Sequence, residues 1–161
     1  MAPFPETSFL CALYRKQEQT LRAIAMRQTI PDPLPVSPLV LFEFRQSLRF
    51  QVRLHRNNRQ LGFGAREGQA MLRDLQSDLS TGVLSVLPAD WAGVFSLAEM
   101  LSAKHTENAG HRFADILHVA TALQLGAATF LTFDANQRSL AEAEGLAVPS
   151  ALTDCDGVSG T

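Results

Sequence analysis

The chain has 161 residues and a mass of 17.6 kDa, which is the length of one domain or at most two. Hydrophobic residues make up 46% and charged residues 19% of it, which excludes a disordered chain or a highly charged tail protein. A net charge of -2 excludes nucleic-acid binding through overall positive charge. The chain has two cysteines, Cys11 and Cys155, and no Cys/His motif, which argues against a structural zinc site and a disulfide framework.

The sequence also bears on location. No basic segment followed by an apolar run marks a signal peptide at the N-terminus. Charged residues interrupt every apolar stretch well before the roughly 20 residues that a membrane span needs. We therefore expect a cytoplasmic protein without membrane contact.

Short apolar runs alternate with helical patterns along the chain. Apolar residues at helical spacing predict helices over 8–17, 19–29, 38–56, 65–82, a stretch that starts at Asp90, 113–126 and 135–146. Apolar and β-branched runs predict strands just before Glu6 and over 34–37, 83–88, 128–134 and 147–152. Ser37 suits the cap of the helix over 38–56, whose apolar residues include Leu39, Phe42, Leu48 and Val52. The polar segment 105–112 predicts a loop.

This alternation predicts a single α/β domain with a central short parallel sheet flanked by helices on both faces. We place the domain at 1–152 and a flexible C-terminal tail at 153–161, because the tail is small and polar. In such sheets the functional groups gather beyond the carboxyl ends of the strands.

Four acidic residues stand apart from the other Asp and Glu residues because their neighbours are apolar. Glu6 and Asp134 follow predicted strands, Glu43 lies inside an apolar helical stretch, and Asp115 falls near the buried side of another helix. Burying an ionised carboxylate costs several kcal/mol unless it is compensated. No Lys or Arg is interleaved with these four, so a divalent cation such as Mg²⁺ or Mn²⁺ is the economical compensation. We therefore predict that all four are metal ligands on one rim.

Each of these carboxylates also has a structural interpretation. Asp134 suits the N-cap of the helix over 135–146, and Glu6 suits a first-turn interaction with a helix dipole. Asp115 and Glu43 have weaker structural interpretations, since each needs a partner in apolar surroundings. His118 follows Asp115 by one helical turn, and a structural or supporting role is favoured for it over a role as base or ligand.

Three segments resemble the PIN-domain ribonucleases. Segment 5–14 (PETSFLCALY) resembles their opening strand, turn and helix, and segment 37–48 (SPLVLFEFRQSL) resembles their second acidic segment. Segment 111–146 closely resembles their C-terminal block, in which an Asp-bearing helix leads into a strand ending in Thr-Phe-Asp. The resemblance covers nearly the whole chain and implies a Mg²⁺- or Mn²⁺-dependent endoribonuclease acting on single-stranded RNA. The family includes the toxins of VapBC-type toxin–antitoxin pairs, so an antitoxin partner is implied as well.

By position, the acidic quartet of the family corresponds to the same four residues, so the resemblance implies that the catalytic and metal-binding residues are Glu6, Glu43, Asp115 and Asp134. The family usually has Asp where this chain has Glu6, whose side chain is longer by one methylene. This departure keeps a second interpretation open, in which the chain is a PIN-like binding module with a weakened site. A phospho-receiver domain is a more distant alternative, because the strand over 83–88 ends without a phospho-accepting Asp.

Arginines recur every three or four residues on the helix over 38–56, at Arg45, Arg49, Arg53 and Arg56. No Asp or Glu occurs over 44–65, so one helix face carries only positive charge. This face is either a solvated surface, a track for the RNA backbone, or a docking face for an acidic antitoxin segment. Together with Arg112, which precedes the Asp115 helix, Arg45 and Arg49 are the predicted substrate-binding residues.

A homodimer is also expected, because homodimers are common among proteins that this chain resembles. Three phenylalanines that we predict to be exposed could support it, namely Phe44, Phe50 and Phe63.

Overall fold

The computed structural model of the chain describes residues 2–153. Within this range the α-helices are α1 (Thr7–Tyr14), α2 (Thr20–Gln28), α3 (Pro38–Asn57), α4 (Ala65–Thr81), α5 (Trp91–Ala109), α6 (Phe113–Gln124) and α7 (Ala135–Ala143). The strands are β1 (Phe4–Pro5), β2 (Leu34–Val36), β3 (Leu84–Val86) and β4 (Phe130–Leu131). The predicted α/β domain is confirmed. Apart from Thr153, the predicted tail lies outside the described residues, so the division at 152 stays a prediction.

The strands run parallel in two hydrogen-bonded pairs. β1 pairs with β4, with Phe4 opposite Phe130, and β2 pairs with β3, with Leu34 opposite Leu84. β1 also packs beside β2, which gives the order β3–β2–β1–β4 across the molecule. Because the strands are parallel, their carboxyl ends share one edge of the fold, and Glu6 follows β1 directly.

The core lies between these strands and the helices. Its largest fully buried side chains include Phe9, Phe44, Phe130 and Leu75, which come from helices and strands alike. Every residue of α6 from Asp115 to Ala122 is buried, so this helix runs through the interior. No helix within residues 2–153 is long and apolar enough to cross a membrane.

Local sequence signals account for the bounds of the longer helices. The Ser37 hydroxyl accepts a hydrogen bond from the Val40 amide at 3.2 Å, and Pro38 occupies the first turn of α3. Helix α4 ends at Gly82, whose φ of 79° lies in the left-handed region that favours glycine. The predictions for these two helices are confirmed.

Two local predictions are wrong. The predicted loop over 105–112 is confined to 110–112, because α5 continues to Ala109 and ends at Gly110, whose φ of 69° lies in the left-handed region. The strand predicted over 147–152 is a single bridge between Thr129 and Ala147, followed by a 3-10 turn at Ser150–Leu152. Pro149 lies between them and has no N–H to donate to a strand ladder.

The inward face of α3 also differs from the prediction. Phe44 and Phe63 were expected at the surface and are buried, whereas Phe42 is 63% exposed. The buried stripe of α3 follows Val40, Phe44 and Leu48, which are spaced by four residues. Of the three phenylalanines proposed for a dimer surface, Phe50 alone is exposed.

We predict that Phe44→Ala destabilises the fold by about 3–5 kcal/mol, because it leaves a cavity beside the Tyr14 ring. Phe42→Ala on the same helix is the matched control and should change the free energy of unfolding by less than about 0.5 kcal/mol. Urea unfolding measures both values. Equal losses in the two variants would contradict the orientation of α3.

Candidate metal centre and active site

All four predicted carboxylates line one open cleft of about 320 Å³. They come from four separate places in the fold: the end of β1, the first turns of α3, the first turn of α6 and the start of α7. The lining of this cleft consists of Glu6, Thr7, Ser8, Glu43, Ser47, Arg112, Ala114, Asp115, Asp134 and Gln137. We call it the acidic cleft.

Glu6 is 1% exposed and caps its own helix. Its Oε1 accepts hydrogen bonds from the amides of Ser8 at 2.7 Å and Phe9 at 3.3 Å, and also from the Ser8 hydroxyl. Its Oε2 accepts from Gln137 Nε2 at 3.1 Å. Burial raises the pKa of Glu6, although the charge of His118 and the bonds from Ser8 partly oppose this. Both oxygens of Glu6 are therefore engaged by the protein itself.

Glu43 is half-buried and is held through one oxygen. Its Oε2 accepts hydrogen bonds from Thr7 Oγ1 and from His118 Nε2, the second at 2.5 Å. Burial acts to raise the pKa of Glu43, but the hydrogen bond and charge of His118 outweigh it, so the pKa lies below its usual value. Glu43 is therefore ionised at neutral pH, and within residues 2–153 its Oε1 accepts no hydrogen bond.

Asp115 and Asp134 each belong to a helix N-terminus. Asp115 is buried, and its Oδ2 accepts from the backbone amide of Arg112 at 3.0 Å. Oδ1 of Asp134 accepts from the amides of Asn136 at 2.8 Å and Gln137 at 3.0 Å, which confirms its interpretation as an N-cap. Asp134 lies beyond the end of β4 at Leu131, not at the last position of a strand as predicted.

Arg112 joins these two acids. Its Nε lies 3.5 Å from Asp115 Oδ2 and its Nη2 lies 3.8 Å from Asp134 Oδ2. The pair of Arg112 with Asp134 could not be predicted from the sequence, because these two residues come together only through the fold. The guanidinium is 72% exposed, so solvent screens both ion pairs and a phosphate group can reach it.

The other predicted substrate-binding arginines lie outside the acidic cleft. Arg49 lines a different groove, between α3 and α4, together with Arg56. Arg45 is half-buried on α3 and is not part of the cleft lining. Arg112 alone of the three faces the carboxylates.

Hydroxyl and amide side chains support the acidic residues. Ser8 Oγ accepts from the Phe133 amide at 2.8 Å, and Thr132 Oγ1 accepts from the Asp134 amide at 2.9 Å. Gln137 was not singled out from the sequence, yet its side chain is buried and anchors Glu6. The available signal was its position three residues after Asp134, as in a capping box. Its side-chain amide, however, donates to Glu6 and not to the start of its own helix.

The donor chemistry of the cleft fits a hard divalent cation. Both hydrogen bonds to Glu43 fall on Oε2, those to Asp115 fall on Oδ2, and the buried Oε1 of Gln137 has no partner within the described residues. Within residues 2–153, no three His, Cys, Asp or Glu side chains are grouped closely enough to hold one ion. Mg²⁺ commonly uses one or two carboxylates and completes its shell with water, which suits a cleft of this kind.

The chain was compared with protein families and with solved structures. The model of the PIN domain matches residues 4–143. The structure is similar to Mycobacterium tuberculosis VapC20, described as a sarcin–ricin loop cleaving toxin, with a TM-score of 0.63 and 21% identity over 91% of this chain and 97% of that one. A comparison with curated proteins gives no significant match.

Two further similar structures come from Neisseria gonorrhoeae and Rickettsia felis. FitAcB from Neisseria gonorrhoeae has a TM-score of 0.62 and 16% identity, covering 91% of this chain and 95% of that one. VapBC2 from Rickettsia felis, bound to a promoter DNA fragment, has a TM-score of 0.60 and 14% identity, covering 92% and 98%. These identities show a shared fold. Since the family model spans most of the chain and the fold agrees with it, the chain belongs to the PIN-domain family.

Proposed function

We propose that this PIN-domain protein is a Mg²⁺- or Mn²⁺-dependent endoribonuclease that cleaves single-stranded RNA. PIN domains are typically nucleases and generally use divalent metals. The observation that carries the proposal is that four carboxylates from separate parts of the chain line one cleft, where Arg112 is the basic residue of the described lining. Such a concentration of acidic side chains is unfavourable without a cation and is typical of functional sites.

The proposed metal ligands are the four carboxylates, and because no three of them within residues 2–153 are grouped closely enough to hold one ion directly, some of them would bind it through water. Among the described residues, Glu43 and Asp115 each keep one oxygen without a hydrogen bond, and Oδ2 of Asp134 has only the 3.8 Å ion pair with Arg112. Glu6 is the fourth proposed ligand, and ligation through it requires the exchange of a present hydrogen bond. A bound cation would act as a Lewis acid on a phosphate oxygen and make an attacking water more nucleophilic.

The residues of the chain supply the remaining chemistry. The exposed guanidinium of Arg112 binds the scissile phosphate and brings it beside the acids, which otherwise repel it. Glu43 through Oε1, or Asp134 through Oδ2, orients the attacking water in line with the leaving group. The helix N-termini that carry Asp115 and Asp134 add partial positive charge at the same place.

We further propose that the protein is the toxin of a toxin–antitoxin pair. VapC20 is described as a toxin, and VapBC2 is described together with promoter DNA. An antitoxin protein is therefore the proposed partner, and the cytoplasm is the proposed location. Growth arrest on expression of this chain alone, relieved by its genomic neighbour, is the observation that would support this role.

A homodimer remains part of the proposal, on a different surface from the one first considered. Phe95 and Phe113 are exposed and line a groove of about 280 Å³ between α5 and α6. This surface offers more exposed apolar area than Phe50 alone, and contiguous apolar area of this kind marks interaction sites.

A second candidate function is a PIN-like binding module with a weakened site. The observation that favours it is the state of Glu6, whose two oxygens are already bonded to Ser8, Phe9 and Gln137. Calorimetric titration separates the two candidates, because a weakened site binds Mn²⁺ poorly and a nuclease site binds it well.

Asp115→Asn should abolish manganese-dependent RNA cleavage without unfolding the chain. The amide oxygen of Asn still accepts the bond from the Arg112 backbone, so the start of α6 is retained while the charge is lost. Asp74→Asn, an exposed site on α4, is the matched control. Cleavage of a labelled single-stranded RNA measures the effect, and wild-type activity in Asp115→Asn would contradict the assignment.

Glu6→Gln should raise the melting temperature of the metal-free protein at pH 8. Burial raises the pKa of Glu6, so the ionised carboxylate destabilises the fold increasingly as pH rises above its ordinary value of about 4.5. Glutamine keeps the cap on Ser8, and Gln137 can turn its unpartnered Oε1 toward the new amide.

Thermal unfolding in EDTA from pH 4.5 to pH 8 measures this difference. The two chains should converge at the acidic end, where Glu6 is protonated, and Glu67→Gln on the surface should follow the wild type throughout. A stability difference that is independent of pH would show that Glu6 is not a buried, uncompensated charge.

Replacing Arg49 and Arg53 together by Glu should weaken RNA binding and flatten its salt dependence, since each lost phosphate contact reduces the slope for single strands by about 0.7. Both arginines are exposed on α3. The matched control is the double variant Lys16→Glu and Arg73→Glu, which makes the same change in charge at exposed positions outside α3. Fluorescence anisotropy at several salt concentrations measures RNA binding. If the two double variants weaken binding equally, the arginine face of α3 is an ordinary solvated surface.

A further inference from the structure

A buried imidazole lies beneath the acidic cleft. His118 is fully buried on α6, one turn after Asp115, and its neighbours Leu117 and Val119 are apolar core residues. An apolar side chain would fill this position without needing a hydrogen-bond partner. A polar ring here therefore calls for an explanation beyond packing.

The explanation lies in its contact across the fold. His118 Nε2 is 2.5 Å from Glu43 Oε2, and Thr7 Oγ1 donates to the same carboxylate oxygen. An ionised carboxylate only accepts hydrogen bonds, so Nε2 carries the proton in this contact. One oxygen of Glu43 thus receives two donors, from α6 and from the first residue of α1, while the other receives none within residues 2–153.

The other ring nitrogen makes no comparable contact. Nδ1 of His118 is buried and has no hydrogen-bond partner within the described residues. The polar interaction of His118 is therefore directed at Glu43 and at the Thr7 hydroxyl beside it, which lies 3.5 Å from Nε2.

We infer that His118 is a positioning residue, which holds Glu43 by Oε2 so that Oε1 is the oxygen presented to ligands of the acidic cleft. The inference rests on the proposed function, because it assigns Glu43 to a cation or to a water. A glutamate side chain has three rotatable torsions, so without this contact Glu43 would adopt other rotamers at the cleft. The bond also ties α3 to α6, so Glu43 is fixed relative to Asp115.

The first test measures Mn²⁺ affinity by calorimetry on the full chain. His118→Leu should weaken binding by 10-fold to 100-fold, on the order of the losses seen when a group that orients a ligand is removed. His118→Gln can place an amide donor near the position of Nε2 and should recover most of the affinity. Thr121→Val is the matched control, since it removes a buried hydroxyl on the same helix that bonds only to Leu117 O.

Kinetics on RNA supply a second readout of the same variants. His118→Leu should lower kcat more than it raises KM, because RNA binding through Arg112 is left intact, and His118→Gln should restore kcat. Wild-type affinity and kcat in His118→Leu, or no recovery in His118→Gln, would overturn the inference.

A double-mutant cycle tests the contact between His118 and Glu43 independently of metal binding. Urea midpoints in EDTA are compared for His118→Leu, Glu43→Leu and the double variant, with no cation or RNA present. Non-additive losses show that His118 and Glu43 are coupled, even if the wild type binds no Mn²⁺ and the proposed function is therefore wrong. Additive losses would overturn the inference whatever the wild type binds.

Discussion

The structure depends on how negative charge is compensated in one cleft. Four carboxylates lie there beside a single solvent-screened guanidinium, and the protein offsets the remaining charge with helix N-termini, hydroxyls, an amide and a buried imidazole. The compensation is uneven. Glu6 is deeply buried and has a raised pKa, whereas Glu43 has two donors on one oxygen and a lowered pKa. The carboxylates of the cleft therefore keep negative charge that protein groups do not fully compensate. A bound cation can neutralise this charge, and Arg112 can hold a phosphate group beside it.

The fold creates this cleft through its parallel strands. β1 and β4 are adjacent, so the helices that follow them begin side by side, and Glu6 and Asp134 cap those two helices. Helix α6 passes through the core beside them, and its first turn carries Asp115 to the same edge. The packing that orders the core also sets the distances between the acids, which explains why buried side chains such as His118 and Gln137 belong to the description of the site.

Much of this arrangement could be predicted from the sequence. The order of helices and strands follows from apolar spacing, and carboxylates in apolar surroundings identified the residues that line the cleft. The partners of those carboxylates could not be predicted. Ser8 lies close to Glu6 in sequence, but Gln137 and His118 reach their partners only through tertiary contacts. The orientation of α3 was misjudged because Phe42 and Phe44 are equally apolar and only the packing against Tyr14 distinguishes them.

The substitution of Glu for the usual Asp at position 6 has a structural consequence. Glu6 accepts from the amides of Ser8 and Phe9, two and three residues on, as Asp134 does from Asn136 and Gln137, so the longer residue keeps the cap that an Asp would supply. A crystal structure of the chain with Mn²⁺, collected for anomalous scattering, tests the account most directly. We expect an anomalous peak in the acidic cleft, in contact with Asp115 and with Oε1 of Glu43. A cleft without a peak at saturating Mn²⁺, with the acids still bonded only to protein groups, would contradict it.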